Sequence, residues 1–184
     1  MRIIGGTLGG RRINLPVRYS ARPTTDFAKE ALFNILANEY EFDGLRVLDL
    51  FGGTGAISYE FASRGAGRVY CIEMSRDNAA FIRGEARRLG LGNITVVHDN
   101  VFDFLPVCKE SFDIIFADPP YALEGLENIP DKVLDAGILL PDRSFILEHG
   151  GGHSFTSHPC FVRERVYGRV HFSFFEPKQQ CGRS

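Results

Sequence analysis

A mostly parallel sheet with helices on both faces, an open α/β fold, follows from three features of the sequence. From residue 46 onward, short β-branched and aromatic runs alternate with longer segments of helical spacing, as in strands joined by crossover helices. Those runs are continuously apolar rather than alternating, so both faces of each strand are covered. Near the end two strands follow directly, Phe161 to Tyr167 and Val170 to Phe175 turning at Gly168, and close the sheet with an antiparallel hairpin. The 184 residues suffice for one such domain with a small appendage. The expected division is a basic hairpin and helix over 1–40, a catalytic core over 41–176 and a tail over 177–184.

Taken in order, Arg2-Ile3-Ile4 and Arg12-Ile13-Asn14-Leu15 alternate in polarity around Gly5-Gly6-Thr7-Leu8-Gly9-Gly10, which predicts a hairpin over residues 1–15. Pro16 to Thr25 is connector. Thr24 or Thr25 then caps a helix in which Phe27, Ala28, Ala31, Leu32, Ile35 and Leu36 recur at helical spacing. Arg46 to Leu50 is the first strand, Phe51-Gly52-Gly53-Thr54-Gly55 a tight glycine loop, and Ala56 to Arg64 a helix. A second strand, Val69 to Ile72, ends at Glu73, and Ser75 caps a helix stopped by Gly90. Thr95 to His98 is the third strand, leading into Asp99-Asn100-Val101-Phe102. Phe112 to Ala117 is the fourth strand, Ile129 to Ala136 a helix, and Ser144 to Glu148 the fifth strand.

Hydrophobic content of 44% and charged content of 24% are ordinary globular values. The longest apolar runs are too short to span a bilayer, and Met1-Arg2-Ile3-Ile4-Gly5-Gly6 holds no apolar stretch of signal-peptide length. Cys71, Cys108, Cys160 and Cys181 are scattered without a CxxC pair, as expected of reduced thiols in a cytoplasmic protein rather than a disulfide or zinc framework. The net charge of −2 conceals an asymmetry. Residues 1–22 carry Arg2, Arg11, Arg12, Arg18 and Arg22 and no acid, whereas the rest holds 16 basic and 23 acidic residues. A basic arm on an acidic body predicts that the arm meets a polyanion. The plain alternative is an arginine-rich guard on a hairpin edge.

Each strand end carries a polar group. Asp49 precedes a loop whose glycines let backbone amides approach a ligand. Glu73, 24 positions later, can accept both hydroxyls of a ribose, and Asn100, 27 beyond that, can bond an adenine edge. Asp118 follows 18 later, and Pro119 and Pro120 take the chain abruptly out of the sheet. That exit sets a carboxylate, a carbonyl without a ladder partner and the Tyr121 ring together, which is what a planar amine on a heteroaromatic ring requires. A dinucleotide loop wants Gly or Ala where Gly53-Thr54-Gly55-Ala56-Ile57-Ser58 ends in Ser. Asp49, Glu73, Asp99, Asp118 and Glu148 together would repel pyrophosphate and attract the sulfonium and ammonium of S-adenosylmethionine.

Leu48-Asp49-Leu50-Phe51-Gly52-Gly53-Thr54-Gly55 followed by Asp118-Pro119-Pro120-Tyr121 resembles the amino-methylating branch of Rossmann-like class I methyltransferases. Arg2-Ile3-Ile4-Gly5-Gly6, Gly10-Arg11 and Arg22-Pro23-Thr24-Thr25-Asp26 resemble the RsmD family in particular, over nearly the whole chain. The resemblance implies methylation of the N2 amine of a guanine in 16S ribosomal RNA, with S-adenosylmethionine as donor. By it, Asp118, Pro119, Pro120 and Tyr121 are catalytic. Asp49, Phe51, Gly52, Gly53, Gly55, Glu73, Asn100 and Val101 hold the cofactor, and Arg2, Arg11, Arg12 and Arg22 meet RNA. It also implies a cytoplasmic monomer acting on 16S rRNA within an assembling small subunit, with no membrane partner and no metal.

Two stretches depart from the family pattern. Phe27-Ala28-Lys29 stands where many members carry arginines, and Gly150-Gly151-Gly152-His153-Ser154 matches no motif. His149, His153 and His158 fit no common zinc spacing and read as a polar loop. Three other functions share parts of this pattern. A DNA adenine or cytosine amino-methyltransferase ordinarily needs an added recognition domain, and a glutamine-amide methyltransferase of translation factors typically has Asn at position 118. An RNA-binding module without turnover would not need the full set of polar strand ends.

Overall fold

The computed structural model of the chain describes residues 1–15 and 26–177. The connector and its capping threonines, Arg18, Arg22 and the end of the tail fall outside those residues.

Seven strands form one sheet in the order β3-β2-β1-β4-β5-β7-β6. They are β1 (Arg46–Asp49), β2 (Arg68–Glu73), β3 (Ile94–His98), β4 (Phe112–Ala117), β5 (Leu139–His149), β6 (Phe161–Tyr167) and β7 (Val170–Phe175). The first five run parallel, and β7 enters antiparallel between β5 and the edge strand β6. Helices α1 (Asp26–Glu39), α2 (Ala56–Ser63), α3 (Arg76–Leu89), α4 (Val101–Phe104) and α5 (Ile129–Asp135) complete the fold.

The central strands bury alternate residues on opposite faces. Val47, Ile114, Phe116 and Ile146 join the core with Phe33, Phe61 and Ile82. Their neighbours Leu48, Ile115, Phe145 and Leu147 join the opposite core with Leu105, Ile129 and Val133. This double burial is why the strands read as unbroken apolar runs. Ser75 and Gly90 end α3 as expected: the Ser75 hydroxyl accepts Asn78 N–H, and Gly90 is left-handed at φ 72°.

Two expectations are adjusted. The hairpin over 1–15 is present but short: Arg2 pairs with Arg12, held by Ile3 N–H to the Arg11 carbonyl, Ile13 N–H to the Met1 carbonyl and Gly10 N–H to the Ile3 carbonyl, around a 3₁₀ turn at Gly6–Leu8. The pairing goes no further because Ile4 N–H and Gly5 N–H each donate to the Glu60 carboxylate at 2.8 Å. Strand β5 starts at Leu139, five residues earlier than expected, across a register shift opposite Phe112 and Ile114. Asn100 caps the short α4, accepting Phe102 N–H at 2.9 Å.

Candidate active site

The strand order reverses between β1 and β4, and ligands of open α/β sheets bind at such a switch point, outside the carboxyl ends. Asp49 lies opposite Phe116, and Leu50 N–H donates to the Phe116 carbonyl at 2.9 Å. The glycine loop and Asp118-Pro119 therefore leave adjacent strands side by side.

Asp49 is buried. Its Oδ2 accepts the Ser58 hydroxyl at 2.6 Å, while Oδ1 makes no hydrogen bond among the described residues. Burial pushes the carboxyl up to about 6; the Ser58 bond pulls it back and the Glu73 charge raises it further. Ser58 thus explains the departure from a dinucleotide loop, because its hydroxyl is used on Asp49. Gly52 is demanded by close approach, since a Cβ there would lie 2.5 Å from Cys71 Sγ. Gly55 is left-handed at φ 81°, and a Cβ would meet the Tyr59 ring at 2.6 Å. Phe51, just before Gly52, packs partly buried against the core.

Glu73 ties the loop down from the neighbouring strand. Its Oε2 accepts Gly53 N–H and its Oε1 accepts Ser75 N–H, both at 2.7 Å. A carboxylate has about four lone-pair sites, so two remain for ligand hydroxyls. Across the crevice the Asn100 carbonyl is spent on capping, and its Nδ2 lies 3.8 Å from Met74 Sδ. That leaves the amide as a donor, with Val101 N–H the first amide of α4. Met74 is 67% exposed, an apolar side chain presented beside Glu73.

Asp118 is half-buried, Pro119 buried, and Pro120 and Tyr121 exposed. The Pro120 carbonyl closes the turn by accepting Leu123 N–H at 2.8 Å. Partial burial pushes the Tyr121 phenol up to about 12, and the charges of Glu148 and Asp118 push the same way. The ring is therefore neutral, and it stands beside both acids.

Arg2 and Arg12 face each other across the single bridge, with Arg11 next to them, and line an open cleft of about 510 Å³ with Met1, Ile13, Asn14 and Asp26. Arg2 lies 3.7 Å from Asp26. Thr54 of the glycine loop donates to Met1 Sδ at 3.3 Å, so the arm touches the loop that Asp49 and Glu73 border. Lys29, in the segment that departs from the family, is buried rather than presented to solvent: its Nζ donates to the Arg2 carbonyl at 2.5 Å and lies 3.5 Å from Glu60. Of the three histidines, His158 turns away to Asp131 at 3.1 Å, while His149 pairs with residues of β6 and β7.

Sequence reasoning missed Ser58, Glu60, Lys29 and Met74. A hydroxyl nine residues after Asp49 and an apolar side chain directly after Glu73 are weak signals, and no local pattern marks Glu60 and Lys29 as a buried pair.

A family model described as Conserved hypothetical protein 95 matches residues 1–176. The Escherichia coli (strain K12) Ribosomal RNA small subunit methyltransferase D is 32% identical over 183 residues, 98% of this chain and 91% of that protein. The solved structure of yhhF from Escherichia coli, at 32% identity, gives a TM-score of 0.84 over 98% of this chain and 99% of that one. A hypothetical protein of Thermus thermophilus gives 0.84 at 31% identity over 96% and 99%. With sequence and sheet agreeing over nearly the full length, the chain belongs to the Conserved hypothetical protein 95 family, the RsmD family to which its motifs pointed.

Proposed function

We propose that this protein methylates the exocyclic N2 amine of a guanine in small-subunit (16S) ribosomal RNA, using S-adenosylmethionine, as a monomer acting on RNA in an assembling particle. One observation carries the reading: Asp118-Pro119 leaves β4 directly beside the glycine loop of β1, so donor and acceptor sites share one crevice. The family relative named for methylation of small-subunit ribosomal RNA supports the substrate class.

The residues present fit the cofactor. The crevice is acidic, Asp49 keeps a carboxylate oxygen without a hydrogen bond among the described residues, Glu73 has two lone-pair sites left, and Asn100 retains its amide donor. When bound, S-adenosylmethionine supplies an electrophilic methyl group on a sulfonium. Asp49 and the Gly53 to Gly55 loop hold its amino-acid end, Glu73 its ribose, and Asn100 with Val101 N–H its adenine. Phe51 and Gly52 shape the loop around them.

A guanine amine is a poor nucleophile because its lone pair is delocalised into the ring. Asp118 Oδ and the Pro119 carbonyl each accept one N–H, which favours a pyramidal nitrogen with its lone pair turned toward the donor. The departing proton passes to Asp118 or to water. Pro120 fixes the turn, and the neutral Tyr121 ring stacks on a base drawn out of its own stack.

Asp118→Ala should leave cofactor affinity nearly unchanged and lower methyl transfer to 16S rRNA by roughly a hundredfold or more, as one acceptor made in the transition state is lost. Calorimetry and transfer of labelled methyl, followed by nucleoside mass spectrometry, separate the two. Turnover within a few-fold of wild type would reduce Asp118 to a strand cap. Label on adenine or on protein glutamine would replace the substrate assignment.

A further inference from the structure

His149, Glu164 and His171 meet on one face of the closing hairpin, outside the crevice residues used above. His149 ends β5 opposite His171 of β7, and Glu164 of β6 is opposite Ser173, two residues along β7 from His171. Residues two apart on a strand share a face, so the register brings all three side chains together. Among the described residues they form a group whose ligand atoms all lie within 4.8 Å of one another.

The tautomers are set by the partners. His149 Nδ1 lies 2.9 Å from the Gly150 carbonyl, which can only accept, so Nδ1 carries the hydrogen and Nε2 presents its lone pair. A ligating histidine is ordinarily held this way, with its other nitrogen donating to a backbone carbonyl. His149 Nε2 lies 3.6 Å from Glu164 Oε1, and His171 Nδ1 lies 3.2 Å from the same oxygen. A tetrahedral ion with bonds of about 2.0–2.1 Å sets its ligand atoms about 3.4 Å apart, and the two separations straddle that value. His171 Nδ1 is buried and makes no hydrogen bond of normal geometry among the described residues, despite its nearness to Glu164. His149 itself is fully buried.

We propose that His149, Glu164 and His171 bind a divalent transition ion of the zinc class. Two imidazoles and one carboxylate suit such an ion and not magnesium or calcium, which take oxygen ligands. The ion would displace the Ser173 hydroxyl, now 2.8 Å from His149 Nε2. Its fourth position falls to water or to His153, whose ring lies 6.3 Å from that of His149. The three ligands come from three neighbouring strands, so the ion clips β6 and β7 onto β5 one residue beyond Glu148. Reading His149, His153 and His158 along the chain missed the group, because two of its members lie on the hairpin that follows.

The test needs no methyl transfer and stands apart from the function proposed above. Chelator-stripped protein should take up one equivalent of zinc at neutral pH, melt at a higher temperature with it, and give the visible absorption of four-coordinate cobalt when cobalt is used instead. Glu164→Gln and His171→Asn alter partly exposed side chains, and both stripped variants should melt cooperatively. Each should weaken zinc binding by about a hundredfold or more, since loss of a ligand exceeds the tenfold to hundredfold cost of losing a mere outer partner. Wild type that takes up no zinc, or variants that bind it as tightly as wild type, would overturn the proposal; the latter would place the ion elsewhere, for instance on the Cys108 or Cys160 thiols.

Discussion

Asp49 holds an acid where water does not reach it, and that has a cost the fold carries whenever no cation is bound. Its folded carboxyl keeps a proton up to about pH 6, whereas the unfolded one releases it near the ordinary 3.8. Between those values the folded state binds more protons than the unfolded state. Stability therefore falls as pH rises through that window, and the full cost of about 3 kcal/mol is present above it. Asp49→Asn keeps an oxygen for the Ser58 hydroxyl and removes the charge. The ligand-free variant should be more stable than wild type by about 1–3 kcal/mol near neutral pH, and the advantage should fade as pH drops toward roughly 4. Its affinity for S-adenosylmethionine should fall by about tenfold or more, because the ammonium loses its counter-charge. Denaturant titrations at both pH values, with calorimetry, check both halves. An advantage that did not change with pH would mean Asp49 does not titrate in this range.

The N-terminal arm and α2 act as one element through Glu60. Its buried carboxylate accepts Ile4 N–H, Gly5 N–H and Arg64 Nε–H, each at 2.8 Å, with the Lys29 ammonium at 3.5 Å. Burial pulls the Lys29 ammonium down from its usual range and Glu60 holds it partly up, so the two charges need each other. Glu60→Gln should cost about 3–5 kcal/mol by leaving the buried Lys29 with only Asp26 as counter-charge. Hydrogen exchange at Ile4 and Gly5 should accelerate more than at Val47 or Ile115 of the central strands; equal acceleration throughout would make Glu60 a general packing residue. The arm also marks the limit of reading one segment at a time. Strands β4, β6 and β7 were legible to the residue because apolar runs and Gly168 bound them locally. Asp49, Glu73 and Asp118 were legible because strand ends are where a parallel sheet presents polar groups. The arm's amides are satisfied by an acid 55 and 56 residues away, which no local pattern displays. The early part of β5 was hidden by Pro141-Asp142-Arg143, where Asp142 takes φ 58° beside the register shift. Ser58 and the His149 group likewise depend on what folding places opposite them.

At the scale of the molecule, charge is divided between two neighbouring surfaces. The crevice edge gathers Asp49, Glu73, Asp118 and Glu148, while Arg2, Arg11 and Arg12 stand on an arm that Glu60 fixes and whose Met1 touches Thr54 of the glycine loop. On the function proposed above, a polyanion would be repelled by the first surface and held by the second, aligning a backbone on the arm with a base turned toward Asp118. Neutralising phosphates releases counterions, so RNA affinity should fall steeply with salt, and the acidic body can only oppose that trend. Arg11→Ala with Arg12→Ala should weaken binding of a 16S rRNA fragment and flatten its log–log salt slope by roughly one to two, at about 0.7 to 0.9 per phosphate contact. Both side chains are exposed, so the variant should melt as wild type does and bind S-adenosylmethionine unchanged. Were these arginines only a guard on a sheet edge, affinity and slope would both stay where they are. Titrations of both proteins at several salt concentrations decide between the two accounts, and coincident slopes would remove the arm from the RNA-binding surface.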